Sequence, residues 1–242
     1  INVKVTGGVT PYKYAWSNGD TTRNMKNIGA GIYSLLVTDA NGIKKSVKAT
    51  ITQPTILSSK VQATTNIACF GNNEGAIDIN VLGGTPPYSF NWSNGQKSQD
   101  LVKIPAGKYV VQVIDNNKCI DTLTATVNQS SEMVVKSQET LDIKCFGRAE
   151  GSASVSVSGG VPPYQFYWSN GAKTQNLSKL NAGLYSLNVT DAKGCIKSIE
   201  VRISEPPALV TSIGKVTNIK CNKDSTGSIT INVSGGTAPY IY

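Results

Sequence analysis

The sequence predicts an all-β fold, a tandem array of small two-sheet β-sandwiches set end to end, and three observations predict it. A thirteen-residue stretch, Gly83-Gly84-Thr85-Pro86-Pro87-Tyr88-Ser89-Phe90-Asn91-Trp92-Ser93-Asn94-Gly95, recurs from Gly7 to Gly19 and from Gly159 to Gly171, and begins again at Gly235 to reach Tyr242. The copies lie 76 residues apart each time, with no insertion or deletion; self-similarity at a fixed period marks a repeat architecture. Between the copies, apolar residues such as Val, Ile and Leu alternate with Ser, Thr, Asn and Asp at period two, and Gly, Pro and Asn punctuate the runs, which is strand rather than helix patterning.

Three periods take 228 of the 242 residues, so both ends fall inside a repeat. Residues 1–55 are expected to be a partial repeat lacking its first strand, because Ile1-Asn2-Val3-Lys4-Val5 aligns with Ile77 to Val81. Residues 56–131 and 132–207 are complete repeats, and 208–242 hold only the N-terminal part of a fourth. The chain reads as an excerpt from a longer array, with sorting signals expected outside it. No apolar run approaches the length of a membrane span.

Each element has a local reason. Leu57 to Ala63 and Asn66 to Phe70 are predicted as a broken first edge strand. Ile77, Ile79 and Val81 alternate with Asp78 and Asn80 in a half-buried strand. Gly-Gly-x-Pro then supplies positive φ followed by fixed φ and turns the chain. Tyr88, Phe90 and Trp92 share one face of the next strand, which places Trp16, Trp92 and Trp168 in the core. Ser-Asn-Gly closes that strand. Gln96 to Ile104 reads as a short edge strand or loop anchored by Leu101 and Ile104, the segment that varies most between copies. A Gly two residues before Tyr33, Tyr109 and Tyr185 matches the tyrosine corner of immunoglobulin-like sandwiches, whose hydroxyl caps nearby backbone. Asp191-Ala192-Lys193-Gly194 makes a hairpin turn, and Cys195, Ile199, Val201 and Ile203 share a face of the last strand. About seven strands per repeat are expected, with Greek-key connections. Short linkers, Gln53-Pro54-Thr55, Gln129-Ser130-Ser131 and Glu205-Pro206-Pro207, leave little swing between repeats.

The net charge of +8 does not repeat: the four segments carry +5, 0, +1 and +2. An array that bound nucleic acid would place basic residues at one position in every unit, so no nucleic-acid partner is expected. Histidine is absent, which removes the commonest general base and metal ligand. Glu74 and Glu150 recur before a strand without a second recurring carboxylate at fixed reach. Asp115-Asn116-Asn117 lacks the Asp-x-Asp-x-Asp spacing of a calcium loop and is expected to bond its own turn. No enzyme activity, cofactor or metal is therefore expected.

Cys69, Cys145 and Cys221 recur at 76 residues, as do Cys119 and Cys195. Pairing within units joins Cys69 to Cys119 and Cys145 to Cys195 and leaves Cys221 single. Pairing between units joins Cys119 to Cys145 and Cys195 to Cys221 and strands Cys69, since the first repeat has Ile43 in place of its cysteine. Strand parity favours the first scheme, because Cys145 shares a face with Ile143, and Cys195 with Ile199 and Val201. A thin 76-residue core would gain from such a staple. The cysteines also point to an oxidising, extracellular setting.

The combined signature Gly-Gly-x-x-Pro-Tyr-x-[Phe/Tyr]-x-Trp-Ser-Asn-Gly, Ala-Gly-x-Tyr and Asp-x-x-Gly-Cys resembles the SprB repeats of gliding-motility adhesins in Bacteroidota, and more distantly PKD-type sandwich repeats. It departs from that pattern at Ile43 and at Asn117-Lys118, where the turn lacks its Gly. The resemblance implies a very large cell-surface protein, exported by the type IX secretion system of the outer membrane. Its filaments would be driven by the gliding-motility machinery and grip the substratum or a surface polysaccharide. The function expected is a structural, adhesive repeat segment of such a filament; the alternative is an array of secreted carbohydrate-binding modules. Neighbouring repeats of the same chain are expected partners. Thr21, Thr122 and Ser225 follow Asp in triplets resembling those O-glycosylated in exported Bacteroidota proteins. The array is expected to form a semi-rigid rod of roughly 35–45 Å per repeat, from strands of about seven residues plus turns.

Overall fold

The computed structural model describes residues 1–242 and contains strands and turns but no helix. The first repeat holds β1 (Lys13–Trp16), β2 (Gly31–Thr38) and β3 (Lys44–Ile51). The second holds β4 (Ser58–Thr65), β5 (Gly75–Leu82), β6 (Ser89–Trp92), β7 (Leu101–Ile104), β8 (Gly107–Ile114) and β9 (Ile120–Val127). The third holds β10 (Val134–Leu141), β11 (Gly151–Ser158), β12 (Gln165–Trp168), β13 (Leu177–Leu180), β14 (Gly183–Thr190) and β15 (Ile196–Ile203). β16 (Val210–Thr217) and β17 (Ser228–Ser234) complete the chain.

The third repeat shows the architecture whole. β10-β11-β13 form one antiparallel sheet and β12-β14-β15 the other, and their inner faces enclose Val155, Trp168, Leu177, Leu187, Val189 and Ile203. Six strands are present rather than about seven. The segment expected to extend the first edge strand becomes a turn: Ile67 makes an isolated parallel bridge to Gln129, and Ile143 N–H bonds Ser204 O at 2.9 Å in the copy. In the second repeat the sheets run β4-β5-β7 and β6-β8-β9. Its buried positions match those of the third with compensating sizes: Ile77 stands where Ala153 does, while Val111 and Val127 become Leu187 and Ile203. Exchanges that conserve total volume are the ones a packed core tolerates best. The repeat thus varies its side chains without varying its backbone.

Two compact units divide the chain, and the division does not follow the 76-residue segments. Ile1–Lys60, Asn80–Lys97 and Val111–Leu123 form one; Val61–Ile79, Ser98–Val110 and Thr124–Tyr242 form the other. The first includes the β1-β2-β3 sheet, where Trp16, Met25 and Leu35 are buried against Ile1, Val3 and Tyr33. The second includes the whole third repeat and the β16-β17 hairpin, whose Ile213, Ile229 and Ile231 are exposed.

Aromatic side chains pin the turns. The indoles of Trp16 and Trp168, each about 95% buried, donate Nε1–H to Thr22 O and Thr174 O at 2.9 Å, so each ring fills the core while its polar edge is satisfied. Trp92 is buried to the same degree. Tyr12, Tyr88, Tyr164 and Tyr240 donate to the carbonyls of Gly7, Gly83, Gly159 and Gly235 at 2.5–2.6 Å. Tyr33, Tyr109 and Tyr185 donate to Gly29, Pro105 and Asn181 carbonyls at 2.8–3.0 Å, a bond four residues back that holds the start of the strand in a tyrosine corner.

The segment before β7 and β13 carries a device that residue-by-residue comparison hides. In the third repeat Gln175 Nε2 donates to Val155 O at 2.6 Å and Asn176 Oδ1 accepts from Val155 N at 3.3 Å. Gln99 and Asp100 do the same for Ile79, and Arg23 and Asn24 for Val3. In the second and third repeats a donor followed by an acceptor replaces the missing strand partner of one sheet residue. The residue types change, but the order of hydrogen-bonding roles does not.

An aspartate ties the two turns at one end of each repeat. Asp191 Oδ2 accepts from Val161 N at 2.9 Å, across to the Gly159-Gly160 turn, while Oδ1 accepts from Lys193 N at 2.8 Å and Cys195 N at 2.9 Å in its own hairpin. Asp115 repeats the arrangement with Thr85 and Cys119, and Asp39 with Val9, Asn41 and Ile43. Burial alone raises the Asp191 carboxyl, but the backbone donors of Cys195, Val161, Lys193 and Gly194 outweigh it and hold the group below the ordinary carboxylate range.

Two predictions follow from these turns. Gly159 has φ +69° and a Cβ there would lie 1.8 Å from Glu132 O, whereas Gly171, at φ +85°, faces open space. Gly171→Ala is expected to lose only the left-handed penalty of about 1–2 kcal/mol, and Gly159→Ala about 3–5 kcal/mol, compared by thermal unfolding. For Asp191, the folded group binds its proton more weakly than the unfolded chain does at about 3.9. Its stabilisation is therefore complete above about pH 5 and is lost as pH falls through the folded value. Asp191→Asn is expected to lower Tm at neutral pH and to flatten the acid fall of Tm, read by circular dichroism between about pH 2 and 7.

Candidate functional site: the cysteine bridge between repeats

The structure joins Cys69 to Cys195, across 126 residues, with Cα atoms 5.5 Å apart. Neither expected pair forms, in either scheme: Cys119, Cys145 and Cys221 are free and exposed. Strand parity misled because neither cysteine position lies within a strand. Cys195 precedes β15 in the hairpin turn, and Cys145 sits in the turn after β10. That second turn is fastened to the far end of β15, through Ile143 N to Ser204 O and Gly147 N to Glu205 Oε2 at 2.8 Å. From Cys195 to Ser204 the strand runs nine residues, roughly 30 Å at 3.4 Å each, while a disulfide needs Cα atoms within roughly 7 Å. The two cysteines of one repeat are at opposite ends of it.

The same fastening presents Cys69. Ile67 N donates to Asn128 O at 2.8 Å, Gly71 N to Gln129 Oε1 at 3.0 Å, and Asn128 N to Asn66 Oδ1 at 2.8 Å. Cys69 is thereby carried beside the Gln129-Ser130-Ser131 linker, where the second repeat gives way to the third. Cys195 is held from the other side by Asp191, whose turn also meets that linker through the Gly159-Gly160 corner: Gly160 N donates to Ser131 O at 3.1 Å. Both sulfurs thus approach the linker from opposite repeats.

A cleft flanks the bridge, lined by Cys69, Phe70, Glu132, Met133, Ile196 and Lys197. Phe70 and Ile196 are exposed, and Met133 is buried. Lys197 Nζ lies 3.5 Å from Glu132 Oε1, with both side chains about half exposed, so this pair adds little stability. The chemistry the site offers is a covalent cross-link between domains. The sequence held the two halves, a Cys-Phe-Gly turn and an Asp-x-x-Gly-Cys turn, but only the fold places both beside one linker.

The remaining sequence-predicted positions do not converge on this bridge. The tryptophans and corner tyrosines belong to the separate repeats described above. Thr21, Thr122 and Ser225 are all exposed, in the turn after β1, on β9 and in the loop before β17. The Asp121 carboxylate before Thr122 is occupied by Ser59, which donates its N–H at 2.6 Å and its hydroxyl at 2.5 Å.

Comparison with known proteins bears on the repeat as a whole. The SprB repeat matches residues 1–21, 61–97, 137–173 and 213–242, more than half of the chain. The matched segments keep the 76-residue offset, and the first three end just past the Trp-Ser-Asn-Gly strand. No curated protein matches the sequence. Among solved structures, the three N-terminal domains of the bacteriophage RB49 Highly Immunogenic Outer Capsid protein (Hoc) align at 14% identity over 81% of this chain and 85% of that one, with TM-score 0.38. The N-terminal eight Ig domains of Down Syndrome Cell Adhesion Molecule align at 11% identity over 89% of this chain and 39% of that one, with TM-score 0.35. Dpr2 Ig1-Ig2, solved in complex with DIP-Theta Ig1-Ig3, gives 10% identity, 81% and 90% coverage and TM-score 0.32. The chain belongs to the SprB-repeat family.

Proposed function

We propose that this chain is a load-bearing segment of a very large adhesin filament used in gliding motility and surface attachment. In this reading the parent protein is exported by the type IX secretion system and held at the outer membrane. Its filament is moved by the gliding-motility machinery and grips a substratum or surface polysaccharide, with these repeats as spacers. Membership of the SprB-repeat family supports the setting. The observation that carries the mechanical role is the Cys69–Cys195 bond, which spans the linker between two repeats. A bond there prevents the enclosed chain from lengthening even if a sandwich unravels, which suits transmission of traction. The unbroken 76-residue period agrees with a spacer, since a dedicated binding site is usually built in a loop insertion of one unit.

Single-molecule pulling between residues 1 and 242 tests the role. With the bond intact, the 126 residues it encloses are shielded, so full extension is expected to fall short of that of the reduced chain by roughly 400–450 Å, at about 3.5 Å per residue. Equal extensions with and without reductant would remove the load-bearing reading. A glycan array probed with the same chain is expected to be silent; selective binding would turn the assignment toward a carbohydrate-binding array. Scattering from chains of increasing repeat number is expected to give a maximum dimension that grows linearly, by roughly 35–45 Å per repeat, and sub-linear growth would exclude the rod.

A further inference from the structure

We infer that the bond between Cys69 and Cys195 is one rung of a ladder, in which each complete repeat sends one cysteine forward to the following repeat and receives one from the repeat before. Cys145 is then a forward half-site and Cys119 a receiving half-site, each bonding with a neighbouring repeat and never with each other or within its own sandwich. The inference does not depend on the adhesin reading, since it concerns connectivity alone.

It rests on a formed bond together with copies of both its halves. Cys145 is presented as Cys69 is: Ile143 N to Ser204 O repeats Ile67 N to Asn128 O, Gly147 N to Glu205 Oε2 repeats Gly71 N to Gln129 Oε1, and Ser204 N to Asp142 Oδ1 repeats Asn128 N to Asn66 Oδ1. The N–H groups of Arg148 and Asn72 close both turns onto the cysteine carbonyls at 3.3 Å. Cys119 is presented as Cys195 is: its N–H donates to Asp115 Oδ1 at 2.8 Å, and its carbonyl accepts from Asp115 N at 3.0 Å. Both free thiols are exposed. The position 126 residues after Cys145, and the one 126 residues before Cys119, fall outside the 242 residues, and Cys145 and Cys195 are separated by the length of β15.

The consequence is a covalent track alongside the backbone. Loops of 126 residues started every 76 residues overlap by 50, so a backbone cut between the first and last rungs leaves the two sides joined. Each rung forms when two thiols lose two protons and two electrons to a disulfide such as glutathione disulfide, which is released as two thiols. Ile43 interrupts the ladder, because a repeat placed before the first one would find no receiving thiol there.

The test extends the full chain by residues 167–207 of its own sequence, which completes the fourth repeat and places a cysteine 126 residues after Cys145. After oxidation with glutathione disulfide, non-reducing peptide mapping is expected to show Cys145 linked to the added cysteine and Cys69 to Cys195. Cys119 and Cys221 should be recovered free or carrying glutathione, linked to no other cysteine of the chain. A bond between Cys221 and the added cysteine, or Cys145 recovered free or carrying glutathione, would overturn the ladder. A second variant needs no extension: in the 242-residue chain, Cys69→Ser frees Cys195. Cys145 and Cys195 are then expected in peptide mapping free or carrying glutathione and not linked to each other, and a Cys145–Cys195 bond would overturn the inference even if the extended repeat failed to fold.

Discussion

The structure depends on one carboxylate per repeat. Asp39, Asp115 and Asp191 each accept backbone N–H groups from two turns distant in sequence, the Gly-Gly-x-x-Pro corner and the last hairpin. Asp115 and Asp191 are almost fully removed from solvent, a position an unpaired charge could not occupy, and the converging donors are what make it tolerable. Because these bonds locate the hairpin turn, they also locate Cys119 and Cys195. A single ionised side chain therefore sets the end of the sandwich and the cross-linking site together.

A sandwich of this size gains stability from small, repeated devices as well as from its core. Six short strands enclose a few aliphatic side chains around one tryptophan, so polar groups must be accounted for one at a time. The donor–acceptor pairs Gln99-Asp100 and Gln175-Asn176 complete a sheet edge where the neighbouring strand is too short to do so, and Arg23-Asn24 make the same pair of bonds to Val3. Two tyrosines per repeat hold turns by their hydroxyls. Such bonds contribute about 1 kcal/mol each, but leaving the buried partner unsatisfied would cost more. Their recurrence at the same offset keeps the backbone invariant while the surface charge drifts from +5 in the first segment to 0 in the second.

Covalent reinforcement falls between repeats and not inside one. A bond within a repeat would constrain only its own unfolded chain, whereas one enclosing 126 residues removes about 5 kcal/mol of loop entropy in the chain-entropy model and also fixes the linker. For a molecule that carries tension, the linker is where strands of one sandwich hand over to the next. Placing the bond there resists both extension and hinge motion.

How much of this was legible in the sequence follows from the range of the interactions involved. Local chemistry determined the period, the strands and the inward-facing rings: alternation at Ile77, Ile79 and Val81 fixes a face, Gly-Gly-x-Pro fixes a turn, and Gly107 before Tyr109 fixes a corner. The Asp turn was legible too, though only its own half. The sequence could not show that Asp191 also binds Val161, that Gln175 and Asn176 stand in for a strand partner, or that Asn66 to Phe70 is a turn docked on Gln129. Those facts need the distance between segments far apart in the chain. The disulfide is the clearest case. Spacing and parity place Cys145 and Cys195 on one notional face, and only the three-dimensional fold, by putting them at opposite ends of a strand of about 30 Å, sends each to a different neighbour. The sequence by itself determined what each repeat is; the tertiary structure decided how repeats are joined, because a cross-link depends on the meeting of two strand ends, and no local pattern encodes where those ends meet.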